Sequence, residues 1–132
     1  MAEPDPKPTP RVRLSRFRYQ QQTRALLDAT QRCECLCGRR CEEVHHALSG
    51  SSREDVPEAW LCLARVCHAA FTTKQRTFDL ERGVYVDPQV VAQGLRERME
   101  TARPEVLAYI IDRKGAEFLD RVYPRGNDSG PP

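Results

Sequence analysis

From Ser15 onward, Tyr19, Ala25, Leu26 and Ala29 fall at helical spacings, and Ser15 is placed to cap the helix they predict. Cys33 to Leu48 loses that period and reads as two short extended pieces joined at Gly38-Arg39-Arg40, a hairpin. A polar stretch around Gly50, Ser51 and Ser52 follows as loop. Apolar residues return near Trp60, and Pro57 suits the first turn of a helix expected to run through His68 to about Phe71. Phe78 to Asp87 reads as loop or short strand. Asp87 and Pro88 then open a helix carrying Val91, Leu95 and Met99 on one stripe, Pro104 opens another that Gly115 ends, and a short last helix precedes Pro124.

The pattern predicts an α+β protein, mainly helical, with a small ββα unit flanked by an N-terminal helix and C-terminal helices. Residues 1–14, with four prolines at 4, 6, 8 and 10, read as a disordered basic arm. A single domain is expected over 15–124, its metal-bearing unit at about 33–72 and its C-terminal helices at about 87–123, with a frayed tail at 125–132. Val106, Tyr109, Ile110, Phe118 and Leu119 are the expected core of the last helices.

Composition changes this picture in two ways. The chain is 39% hydrophobic but only 7% aromatic, so the core is modest and gains from a staple such as a metal site. A formal charge of +2 excludes a histone-like polycation but not a locally basic face. The opening has no apolar segment of the kind a signal peptide needs, and no run reaches membrane-spanning length. The expected setting is therefore the cytoplasm, where clustered cysteines more often bind metal than form disulfides.

All six cysteines and all three histidines lie between Cys33 and His68. None of the cysteine spacings is the C-x-x-C of a thioredoxin-like redox site. Tetrahedral zinc needs four soft ligands, commonly two from a knuckle and two from a following helix. Cys37 reads as the second ligand of such a knuckle, Cys33 or Cys35 as the first, and Cys62 and Cys67 as the helix pair, with Cys41 a further possibility on the knuckle side. His45 and His46 are adjacent, and on a strand they point to opposite sides. One can hold a metal while the other faces a substrate, the division that metal-assisted phosphodiester hydrolysis needs, and His68 can return to the same ion.

The stretch C-G-R-R-C-E-E-V-H-H-A-L followed by C-L-A-R-V-C-H-A-A-F resembles the HNH endonuclease family, the ββα-metal fold. The resemblance implies a DNA endonuclease in which His45 is a metal ligand, His46 the general base and His68 a further ligand. It also implies a structural Zn2+ and a catalytic divalent ion, Mg2+, Mn2+, Ni2+ or Zn2+. Ala59 stands where the family carries asparagine, Ala64 where it carries a knuckle cysteine, Glu34 where the first knuckle carries one, and Thr72 where it carries a last histidine. Water, the Thr72 hydroxyl or Asp79 would then complete the catalytic ion's shell. A catalytically degenerate, zinc-stapled DNA- or protein-binding module is the alternative. The C-terminal half is similar in style to small HNH proteins of bacterial viruses, which would place the chain in a bacterial host.

Arg11, Arg13, Arg16 and Arg18 alternate with apolar residues ahead of the first helix, and Arg39, Arg40 and Arg53 lie beside the cysteine–histidine segment. Together they are the expected phosphate contacts to DNA, with other DNA-processing proteins as further expected partners and no membrane.

Overall fold

The computed structural model describes residues 12–48 and 53–126. Within them the chain is α+β, with five α-helices and two small antiparallel sheets. Arg11, most of the N-terminal arm, residues 49–52 of the polar loop and most of the tail lie outside the described residues.

Helix α1 (Arg16–Thr30) starts where Ser15 Oγ accepts from the Arg18 N–H at 3.3 Å. It lies on the surface with no fully buried residue, and Tyr19 and Leu26 are its points of packing. Residues 33–41 form no hairpin. Leu36 and Gly38 take positive φ angles of 67° and 82°, which curl the segment into a knuckle closed by a single bridge between Arg32 and Arg40.

The strand pairing also differs from expectation. Strand β1 (Glu43–His46) pairs antiparallel with β2 (Trp60–Leu63), setting His45 opposite Leu61 and His46 opposite Trp60. A helix was the expectation from Pro57 to Phe71, but a 3-10 turn (Pro57–Ala59) leads into β2 and α2 begins only at Arg65. All four residues of β2 are apolar and buried, and such a run carries no period that separates strand from helix. Helix α2 (Arg65–Thr73) follows the pair directly and buries Cys67 and Ala70.

Strands β3 (Thr77–Asp79) and β4 (Val84–Val86) make a second hairpin, where Asp79 Oδ1 accepts from the Glu81 and Arg82 N–H groups. Asp87 caps α3 (Pro88–Thr101) through Gln89 N–H at 2.8 Å. Helices α4 (Pro104–Lys114) and α5 (Ala116–Val122) follow, hinged at Gly115. One core cluster joins Trp60, Leu61 and Leu63 to Leu95, Met99, Val106, Ile110, Leu119 and Tyr123. Among the described residues no helix is long and apolar enough to cross a membrane.

Two contacts fix the knuckle on the helices. Glu34 is 1% exposed and its carboxylate accepts from Cys62 N–H, Arg98 Nε and Arg103, at 2.9, 2.8 and 2.7 Å. A buried carboxylate is tolerated only when so fully paired. Gly94 lets α3 approach the knuckle so closely that a Cβ there would sit 1.9 Å from Cys35 O.

Candidate metal centre and histidine cleft

The knuckle and the first turn of α2 bring four sulfurs together. The Sγ atoms of Cys33, Cys35, Cys37 and Cys67 all lie within 4.8 Å of one another, with Cys33–Cys35 at 3.2 Å and Cys37–Cys67 at 3.7 Å. Four thiolates on a tetrahedral zinc at about 2.3 Å would stand roughly 3.8 Å apart, so the set is close to a zinc sphere. The surroundings suit negative sulfur. Ala64 N–H donates to Cys33 Sγ at 3.2 Å, Arg39 N–H to Cys37 Sγ at 3.5 Å, and the Arg39 guanidinium approaches Cys67 Sγ at 3.8 Å. Cys67 also sits at the N-terminal end of α2, where the helix dipole favours an anion.

Four thiolates this close repel one another, so the thiols do not all ionise together. Cys37 is held well below the ordinary thiol range by the S–H groups of Cys33, Cys35 and Cys67, and Cys33 is lowered chiefly by Cys35. Cys35 and Cys67 are pushed up, each chiefly by Cys33. A divalent cation would displace the protons that the four thiols keep and hold all four sulfurs. Among the described residues these four cysteines form a group that could hold a structural metal such as zinc.

Two expected ligands lie elsewhere. Cys62 is in β2, bonded into the strand pair, and burial pushes its thiol up to about 12. Because residues 60–63 are strand, Cys62 and Cys67 never share a helix face, and Cys33 and Cys35 both enter the group in its place. Cys41 also stays outside, with Sγ turned to Leu27 O at 3.5 Å. Asp79 does not reach the histidines. It accepts from Arg39 Nε at 2.7 Å, which holds its carboxyl below the usual range, and it braces the cysteine centre instead.

All three histidines line one cleft of about 770 Å³, together with Thr72, Lys74 and Arg121. His45 is buried under Phe71 and Tyr123, ring centroids 4.8 and 6.3 Å away. The Tyr123 hydroxyl gives its one proton to Ala47 O, so His45 Nε2, 2.9 Å away, is the donor to that oxygen. Its Nδ1 then keeps a lone pair. His68 Nδ1 donates to Glu43 Oε1 at 3.0 Å, because a carboxylate only accepts, which leaves Nε2 with a lone pair in the neutral ring. The two rings stand 5.3 Å apart, edge to face. Two imidazoles on one tetrahedral ion with bonds of about 2.0–2.1 Å would place their centroids roughly 5 Å apart.

No protein-family model, no curated protein and no solved structure matches this chain.

His46, the third histidine bordering the cleft, alternates with His45 along β1, and its ring packs against Tyr19 of α1 and Trp60 of β2. It stacks on Tyr19 at 5.9 Å, Nε2 lies 3.2 Å from the Tyr19 hydroxyl, and Trp60 closes its edge. Burial first, then Arg53, pushes it down to about 4, and burial pushes His45 down to about 3. Ordinary imidazole titrates near 6.5, so the unfolded chain binds more protons than the folded one below that value. The contribution of these two histidines to stability is therefore full above about pH 6.5 and falls as pH drops toward 4. Thermal unfolding between pH 7.5 and 4.5 should show this decline, and His45→Gln, which cannot titrate, should flatten it at unchanged metal content.

The expected phosphate contacts divide. Arg13, Arg16, Arg18 and Arg40 are exposed. Arg53 lies over the Tyr19 ring at 5.1 Å and, with Arg13, is near enough to lower His46. Arg39 is committed to Asp79 and the sulfurs, so its free-contact role is corrected to a brace. Tyr123, Glu43 and Gly94 were not singled out from the sequence, Tyr19 entered only as a helix position, and Glu34 only as standing where a knuckle cysteine would. Glu34, a charge inside a cysteine run, was the one legible signal among them.

Proposed function

We propose that this chain is a zinc-stapled, metal-dependent DNA endonuclease of the HNH type. The observation that carries the reading is the pair His45 and His68. Each has one ring nitrogen tied to a protein oxygen and the other left with a lone pair, and the rings stand 5.3 Å apart in a shared cleft. Metal-ligating histidines are oriented by such bonds on their second nitrogen. The order of an antiparallel strand pair followed directly by a helix supports the same reading. The ion would be held by His45 and His68, with Thr72 at the cleft wall, and would polarise the phosphoryl oxygen and leaving group. His46, neutral at physiological pH and oriented by Tyr19, would take the proton of the attacking water. Arg13, Arg53, Lys74 and Arg121 would hold the phosphodiester.

A second reading, a zinc-stapled binding module that does not cut, is favoured by Tyr123, which is fully buried and seals His45. Cleavage of supercoiled and linear DNA with magnesium, manganese or nickel decides between them. His46→Ala should lower cleavage by about two to four orders of magnitude with zinc content kept. His45→Ala and His68→Ala should lose cleavage together with affinity for the added ion. A wild-type chain that cuts none of these substrates with any of the ions makes the module the correct reading.

A further inference from the structure

We propose that the groove between the cysteine knuckle and the β3–β4 hairpin binds a single strand of DNA. It lies away from the histidine cleft. Arg65, Val66 and Ala69 of α2 line the groove, of about 880 Å³, whereas His68, Phe71 and Thr72 line the cleft on the helix's other side.

The hairpin exposes apolar surface that the core does not use. Phe78 and Tyr85 face each other across the strands at 5.1 Å, Tyr85 is 61% exposed, and Leu80 at the turn is 88% exposed. Hairpins of two strands are marginal on their own, and this one is held from its inner side by buried Asp79 and Val86. The outward aromatic pair supports the strand pairing but is not part of the core. Arg76 lies over the Tyr85 ring at 5.2 Å, which sets a cation against an exposed ring.

Arg32, Arg40 and Arg82 line the groove together with Phe78, and Tyr85 stands across the hairpin from Phe78. Arg32 and Arg40 sit side by side across their antiparallel bridge, and Arg82 at the hairpin turn spends one N–H on Cys37 O at 3.1 Å. None of the three has an ion pair with a carboxylate among the described residues. Of the three acids in the lining Asp79 neutralises Arg39, and Glu42 and Glu81 are outnumbered by the four remaining arginines. Exposed rings next to an unpaired cationic track are the chemistry that recognises single strands, whose bases offer free faces and whose phosphates follow the charge. Duplex DNA hides those faces, and an apolar protein partner would leave the arginines unpaired on burial. Only the choice of DNA over RNA rests on the proposed nuclease; the binding itself does not require cleavage.

The test is fluorescence anisotropy of a labelled 20-nucleotide oligothymidylate with the intact chain and no added divalent ion. Wild type should bind with log K falling against log salt, and Arg32→Gln/Arg40→Gln/Arg82→Gln should make that slope shallower by roughly 2. Phe78→Ala and Tyr85→Ala should each weaken binding about fivefold or more, while Phe17→Ala, an exposed ring on α1, should not. Photo-crosslinks from bromodeoxyuridine should map to residues 76–86. Folded, zinc-loaded hairpin variants that bind as wild type, or crosslinks confined to α1, would overturn the groove. Tighter binding of oligouridylate would overturn DNA as its occupant. Absence of cleavage bears on the nuclease alone and leaves every one of these readouts intact.

Discussion

Removing metal from the four-cysteine centre is expected to unfold the domain rather than loosen one loop. Cys33, Cys35 and Cys37 belong to the knuckle and Cys67 to α2, so the centre is the covalent-like link between them. The same knuckle carries Glu34, which accepts from β2, α3 and the start of α4 through Cys62, Arg98 and Arg103. Loss of the centre therefore frees the carboxylate on which those elements converge. Structural zinc contributes about 10–16 kcal/mol in small metal-dependent domains, against a total stability of about 5–15 kcal/mol for ordinary ones. Purified protein should contain about one zinc per chain, and chelation should abolish cooperative thermal unfolding. Cys67→Ser and Cys37→Ser should do the same, while Cys62→Ala and Cys41→Ala should keep the metal. If Cys62→Ala loses zinc as fully as Cys67→Ser, the four sulfurs named here are the wrong set.

Helices α3 and α4 were legible because their caps and stripes are local: Asp87 before Pro88, Val91, Leu95 and Met99 on one face, Gly115 at a C-terminus. The strand β2 was not, because Trp60–Leu63 is buried on every side and its partner, β1, lies across a loop. That one misreading carried Cys62 into the expected zinc set. A metal reading of the cysteines was accessible from their clustering alone, whereas the choice among six depends on the backbone turning at Leu36 and Gly38. The partners of the histidines were beyond reach for a different reason. Tyr123 bonds His45 from 78 positions away, and Tyr19 meets His46 from 27, separations at which no spacing rule operates.

Gly94→Ala should cost the protein about 3 kcal/mol or more, or roughly 10 °C in Tm. The expected sign is opposite to that of helix propensity. Alanine inside a helix is favoured over glycine by about 1 kcal/mol, so a Gly94 that merely filled α3 would be improved by the change. Here the new Cβ would stand 1.9 Å from Cys35 O, 2.7 Å from Cys35 C and 3.1 Å from Cys35 Cα. Backbone cannot swing aside as a flexible side chain can, and this backbone is pinned twice. On one side Cys33, Cys35 and Cys37 hold it to the sulfur centre, and on the other Glu34 holds it to Arg98 and Arg103. Either α3 moves out, opening the core at Val91 and Leu95, or the knuckle moves and the Cys35 sulfur leaves the group. Both routes predict lower Tm, and the second also predicts weaker zinc retention at a fixed chelator concentration. Gln89→Ala, exposed on the same helix, should stay within about 0.5 kcal/mol of wild type. A Gly94→Ala protein that melts at or above the wild-type temperature would mean that α3 and the knuckle are not in this contact.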